Sequence, residues 1–176
     1  MRDSVIINFH IMKEKKIEIT YKAVSPEELP AEDRELIDRA KEMTFRSYAP
    51  YSRFHVGAAI RMADGSIVCG SNQENAAFPS SICAERNACW QASALNPGMA
   101  MRKIAIAARN VGSMPEGEED KAPFQAQPIS PCGACRQSLL EYEQLHGPIE
   151  VILYGADDSY VFPSVASLLP FSFTEF

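Results

Sequence analysis

A chain of 176 residues, 46% hydrophobic and 23% charged, can bury a core without covalent staples, and one domain is its simplest arrangement. Its formal net charge of -6 and pI near 5.1 exclude an affinity built on neutralising many phosphates, so long nucleic acid is not an expected partner. No apolar run is long enough to span a bilayer, and no membrane association is expected.

The first apolar run, Val5 to Met12, is interrupted by Asn8 and His10 and is followed by Lys-Glu-Lys-Lys where a signal peptide would carry small residues. The chain is therefore expected in the cytoplasm, with its five cysteines as reduced thiols or metal ligands and not as a disulfide framework. Lys15 to Val24 alternates like a strand. From Glu32 to Ser47 the apolar residues Leu36, Ile37, Ala40 and Met43 recur at helical spacing, and Pro50 stops the helix. Phe54 to Met62 and Ser66 to Asn72 form two strands around Asp64-Gly65, a strong hairpin signal.

Ser81 is the expected N-cap of the next helix, whose stripe is Ala84, Ala88, Ala92 and Leu95 and whose end is Pro97-Gly98. Lys103 to Arg109 follows as a buried strand, and Val111 to Gln127, rich in Gly, Pro and Glu without a period, as a long exposed loop. Ser130 with Pro131 predicts a cap and first helical position, for a helix reaching about Leu145 before Gly147-Pro148. Ile149 to Gly155 is another strand, and Pro163 to Pro170 a short closing helix. Helices alternating with strands after an opening hairpin predict an α/β fold, a mixed sheet with helices on both faces.

The chemistry gathers at two helix starts. Cys132 and Cys135 have the C-x-x-C spacing that lets two thiolates reach one tetrahedral ion, and Cys83 sits at the other start. Helix N-termini favour the thiolates that a metal needs. Three sulfurs leave a fourth position on zinc: His55 or His146 there would close a structural site, whereas an open position would serve catalysis. A redox C-x-x-C pair leaves Cys83 and Glu85 unexplained. Glu85, two residues after a candidate ligand, can approach the open position without filling it, where a carboxylate can move protons for an activated water.

The combination C-x-E followed by P-C-x-x-C is the three-cysteine form of the zinc-deaminase signature. With YAPYSRFHVGAAI, DGSIVCGSNQENAAFP, ICAERNA, SPCGACRQSLLEY and a closing LLPFSF in order, the sequence resembles cytidine deaminase of the small homotetrameric type from about Ala40 to Phe173. The resemblance implies a three-layer α/β/α fold, with residues 1–22 as a partly flexible N-terminal extension and 23–176 as one catalytic domain. It also implies zinc held by Cys83, Cys132 and Cys135, Glu85 as proton shuttle, and hydrolysis of cytidine and deoxycytidine to uridine and deoxyuridine with release of ammonia, as in pyrimidine salvage.

Resemblance further places Asn72 and Glu74 on the ribose, Phe54 beside the pyrimidine, the Ala84 backbone N–H on the base, and Phe173 or Phe171 in a neighbouring subunit's site of a homotetramer. Arg86 resembles the arginine that hydrogen-bonds the zinc thiolates. Its physical reason is that three thiolates and Zn²⁺ sum to one negative charge, which a guanidinium and two helix N-termini offset. The long 111–127 loop, the N-terminal extension, and Phe78 and Asn87 in place of the usual Tyr and Thr depart from the pattern. A blasticidin-type aminonucleoside deaminase and a zinc-stabilised non-catalytic binding module are the alternatives. Ammonia release from cytidine separates the second from an enzyme.

Overall fold

A computed structural model describes residues 14–174. The Val5 to Met12 run and most of the N-terminal extension lie outside the described residues. Among the described residues six strands form one sheet: β1 (Lys22–Val24), β2 (Phe54–Met62), β3 (Ile67–Ser71), β4 (Met101–Asn110), β5 (Glu150–Leu153) and β6 (Ser159–Phe162), in the order β1-β6-β5-β4-β2-β3. Only β4 and β5 run parallel, and the other neighbours are antiparallel, so the sheet is mixed as expected. The α-helices among the described residues are α1 (Ala31–Thr44), α2 (Ala84–Leu95) and α3 (Gly133–His146).

Alternation along β2 assigns the two faces. Val56, Ala58, Ile60 and Met62 join α2 and α3 in one core cluster, while Ala59 joins Leu36, Ile37 and Ala40 of α1 in the other. The result is three layers, with α1 on one face and α2 and α3 on the other. Two glycines set how closely the helices approach. A Cβ on Gly57 would lie 2.0 Å from the Ala40 carbonyl oxygen, and one on Gly70 would lie 2.4 Å from the Ala88 amide nitrogen. The second contact seats α2 directly on β3, fixing where the start of α2 points.

The strand expected over Lys15 to Val24 contracts to the three residues of β1, because only these find a partner, β6. β6 itself carries no periodic signal at four residues. α1 ends at Thr44, ahead of the proline that was expected to stop it, and the closing helix is one 3-10 turn, Ala166–Leu168. The 111–127 segment is less loose than its composition predicts. Val111 and Ala122 are buried, Phe124 bridges to Arg109, and a 3-10 turn spans Glu119–Lys121.

Candidate active site

The site grows from a ladder of isolated backbone pairs. Tyr48 pairs with Gln73 and Gln73 with Ile82, so the loop after α1, the segment after β3 and the residue before Cys83 are laced side by side. Cys83 is then the N-cap of α2 (φ -74°, ψ 153°) and Cys132 the N-cap of α3 (φ -67°, ψ 165°). The expected caps, Ser81 and Ser130, are displaced because their hydroxyls are engaged elsewhere. Ser81 Oγ accepts from the Asn75 amide at 3.0 Å, and Ser130 Oγ from Arg136 at 2.9 Å. Cysteines at both caps place sulfur over unpaired N–H groups, where thiolate is favoured.

The three sulfurs lie within 4.8 Å of one another, with Cys83 to Cys132 at 4.0 Å and Cys132 to Cys135 at 3.4 Å. Sulfurs on a tetrahedral zinc with bonds of about 2.3 Å stand roughly 3.8 Å apart, so the trio fits that ion with little adjustment. Among the described residues this is the one group of three or more His, Cys, Asp or Glu able to hold a metal, and neither His55 nor His146 joins it. A fourth position therefore stays open. Without metal the trio shares protons unevenly. A hydrogen bond from Cys135, aided by Arg86 and Cys132 against burial, draws the Cys83 thiol down to about 5. Cys135 is pushed upward by that same bond and by its burial. Zinc, when bound, would displace the shared protons.

Glu85 lies in the first turn of α2 and is 5% exposed. Burial, with a further push from the charge on Cys83, raises its carboxyl to about 6, a value suited to exchanging protons near neutral pH. Arg86 donates toward Cys83 Sγ at 3.9 Å and lies 5.6 Å from the Trp90 ring centre. Burial opposes its charge, but the neighbouring sulfurs overcome this and raise its pKa.

A cavity of about 420 Å³ opens beside the sulfurs, lined by Val56, Asn72, Gln73, Glu74, Phe78, Ser81, Ile82, Cys83, Ala84, Glu85, Arg86, Ile129, Ser130 and Cys132. It brings together Asn72, Glu74, Ala84, Glu85 and two of the three sulfurs, Cys135 being fully buried. Asn72 is largely spent on the protein. Its Oδ1 accepts from Ser47 Oγ at 2.6 Å and the Val56 amide at 2.8 Å, and its Nδ2 donates to the Phe54 carbonyl at 2.9 Å, leaving one N–H. Glu74 Oε2 accepts from the amides of Tyr51 and Ser52 at 2.8 and 3.2 Å. Those bonds and the Ser52 hydroxyl outweigh desolvation and keep the carboxyl below its ordinary range.

Phe54 packs against the core and is absent from the cavity lining, whereas Val56, on the same face of β2, is present. Phe171 and Phe173 are 87% and 68% exposed, and the Gln137 side chain holds the Phe173 backbone at both its N–H and its C=O. Sequence reasoning overlooked the apolar walls Val56, Ile82 and Ile129, and noted Phe78 only as a departure from the usual Tyr. Alternation from Phe54 could have indicated Val56, but nothing local marks the others.

A family model described as the cytidine and deoxycytidylate deaminase zinc-binding region matches residues 30–146. A cytidine deaminase of Sporosarcina psychrophila is 35% identical over 141 residues, covering 80% of this chain and 90% of that protein. One of Halalkalibacterium halodurans is 35% identical over 139 residues, covering 79% and 92%. Among solved structures, cytidine deaminase from Burkholderia pseudomallei gives a TM-score of 0.63 at 38% identity, covering 80% of this chain and 98% of that one. Cytidine deaminase from Mycobacterium tuberculosis gives 0.61 at 26% identity, covering 83% and 100%.

Proposed function

The chain belongs to the cytidine and deoxycytidylate deaminase family, and from that premise we propose that it hydrolyses cytidine and deoxycytidine to uridine and deoxyuridine with release of ammonia. The observation that carries the reading is a buried carboxylate, Glu85, opening on the same cavity as a sulfur trio spaced for zinc. Cys83, Cys132 and Cys135 would hold zinc, which when bound would supply the Lewis acidity that makes water nucleophilic near neutral pH. Glu85 takes the proton from the attacking water, delivers it to the pyrimidine N3, and assists proton transfer to the departing amine. Ammonia leaves and a carbonyl oxygen stands in its place. Arg86 and the two helix N-termini offset the negative charge of the thiolate cluster.

Glu74 and the remaining N–H of Asn72 hold the ribose, the Ala84 amide holds the base, and Phe54 fixes the wall from behind. Exposed Phe171 and Phe173, the latter held on α3 through Gln137, support a homotetramer in which one of them reaches a neighbour's site. Residues 23–176 act as one catalytic domain, and the five unpaired thiols suit a reducing cytoplasm and a role in pyrimidine salvage. No helix among the described residues is long and apolar enough to cross a membrane.

The test is ammonia release by the zinc-loaded protein with cytidine, deoxycytidine and free cytosine. The reading expects turnover of both nucleosides and little of the base, because a site built to hydrogen-bond a hydroxyl is left unpaired without it. Zinc retained with no ammonia from any of the three would leave a binding module.

A further inference from the structure

Arg53 is the only non-glycine residue among those described with a left-handed backbone, at φ 54°. It sits in the middle of the loop that carries the nucleoside-binding contacts. The amides of Tyr51 and Ser52, just before it, hold Glu74, and the carbonyl of Phe54, just after it, accepts from Asn72. Asn72 and Glu74 line the substrate cavity, and the stretch that holds them contributes Ser47 to Pro50 and Arg53 to a second hollow of about 500 Å³, shared with Val111 and Glu119. With a hollow beside it, that support of the substrate wall keeps its shape only if it is pinned.

The pins come from the atypical segment. The Arg53 carbonyl accepts from the Val111 amide at 3.0 Å, and its guanidinium reaches Glu119 Oε1 at 3.3 Å and the Met114 carbonyl at 3.5 Å. The segment is itself anchored. Arg109, 2% exposed, donates to the Glu119 carbonyl at 3.0 Å and to Thr44 Oγ1 at 2.9 Å, with its guanidinium 3.7 Å from the Phe45 ring centre. A continuous path of contacts thus runs from the end of α1 through Arg109, Glu119 and Arg53 to the amides that hold Glu74.

We propose that Arg53 is a positioning residue for the nucleoside, and that the 111–121 segment is a strut that holds the substrate wall through it. The inference rests on the deaminase reading and adds a specificity-determining element to it. Left-handed backbone at a residue with a Cβ persists only when its surroundings enforce it. Releasing the latch lets the backbone relax, turning the Tyr51 and Ser52 amides away from Glu74 and loosening the grip on the sugar. The ground-state contacts change while the sulfurs and Glu85, on other elements, do not.

Two variants separate this from a general loss of structure. Arg53→Ala keeps the Cβ, and with it the tendency to leave the left-handed region, but removes the guanidinium contacts to Glu119 and Met114. Glu119→Ala leaves Arg53 intact and alters a side chain that is 38% exposed, so folding is little affected. In the zinc-loaded protein each is expected to raise the KM for cytidine about 3- to 10-fold with kcat within about twofold, and the double variant no further than the single ones. Arg53→Lys, which keeps a donor toward Glu119, recovers part of the loss. Amide exchange at Tyr51 and Ser52 should accelerate at least about threefold in both variants. Unchanged KM and unchanged exchange in both, or a fall confined to kcat, overturns the strut. A wild-type protein that releases no ammonia from cytidine overturns the deaminase reading instead, and the exchange measurement still decides whether the segment holds those amides.

Discussion

Two buried glutamates, one at the start of α2 and one near the end of α3, show how the same side chain can be left under-satisfied or fully bonded. Glu85 is 5% exposed and Glu143 8%, so desolvation alone does not separate them. Glu143 accepts three backbone amides, from Ile149 at 2.9 Å, Val165 at 2.7 Å and Ala166 at 3.0 Å. It replaces the water that it lost and staples α3 to the start of β5 and the closing turn. The hydrogen-bonding influences on Glu85 are its own amide and the Cys135 thiol, and they do not offset its burial. A carboxyl left under-satisfied beside a cavity is held ready to take up a proton. One wrapped in amides is held in place.

The harshest way to break this contrast is to remove the metal site that Glu85 is proposed to serve. Cys132→Ala deletes one sulfur of the trio, and zinc content should fall from about one per chain to a trace, with no measurable ammonia release. Metal analysis that found zinc fully retained would end the assignment of the sulfurs. Glu85→Gln comes next. The amide is nearly isosteric and cannot carry a proton, so activity should drop by roughly 10²- to 10⁴-fold while zinc stays bound. Near-normal turnover in that variant would move the proton work to another group and leave Glu85 as unremarkable as Glu143.

Glu143→Ala should do the reverse. Three buried or half-buried amides lose their acceptor, at a total cost of about 3 kcal/mol in denaturant unfolding, while kcat per folded molecule is unchanged. Glu143→Gln, whose single carbonyl oxygen has two lone pairs, should fall between wild type and alanine. A stability loss below about 0.5 kcal/mol for the alanine variant would mean that water takes over the amides, and the staple would be dispensable.

The sequence discloses these two glutamates unequally, for a reason that is local geometry. Glu85 is legible because it stands two residues from one candidate ligand and the other two candidates form a short-range spacing, so the pattern is written along the chain. The acceptor role of Glu143 depends on partners 6, 22 and 23 residues away, which only the finished fold brings together. The same divide runs through the fold. The Asp64-Gly65 hairpin and the three helices follow from periodicity and turn chemistry, whereas β6 exists only because β1 and β5 flank it. The helix caps were misplaced at Ser81 and Ser130 because a hydroxyl's choice of partner, Asn75 or Arg136, is made in three dimensions. Asn72 is where resemblance implied the ribose, but its bonds to Ser47, Phe54 and Val56 could not be foreseen.

The smallest effect expected is the most discriminating, because it reads the state of Glu85 without catalysis. In the zinc-free protein its carboxyl titrates at about 6 when folded, against 4.5 as the ordinary value. Between those two values the folded chain holds a proton that the unfolded chain has released. Stability from this group is therefore present below 4.5 and is lost as pH rises through 6. The shift corresponds to about 2 kcal/mol. Glu85→Gln carries no titrating group, so its stability relative to wild type should climb by about that amount from pH 4.5 to pH 7. Chelated wild type and variant, unfolded by denaturant at a series of pH values, give the difference directly. If the two curves stayed parallel, the carboxyl would titrate alike in the folded and unfolded chains, and its burial at the cavity would not be what prepares it for proton transfer.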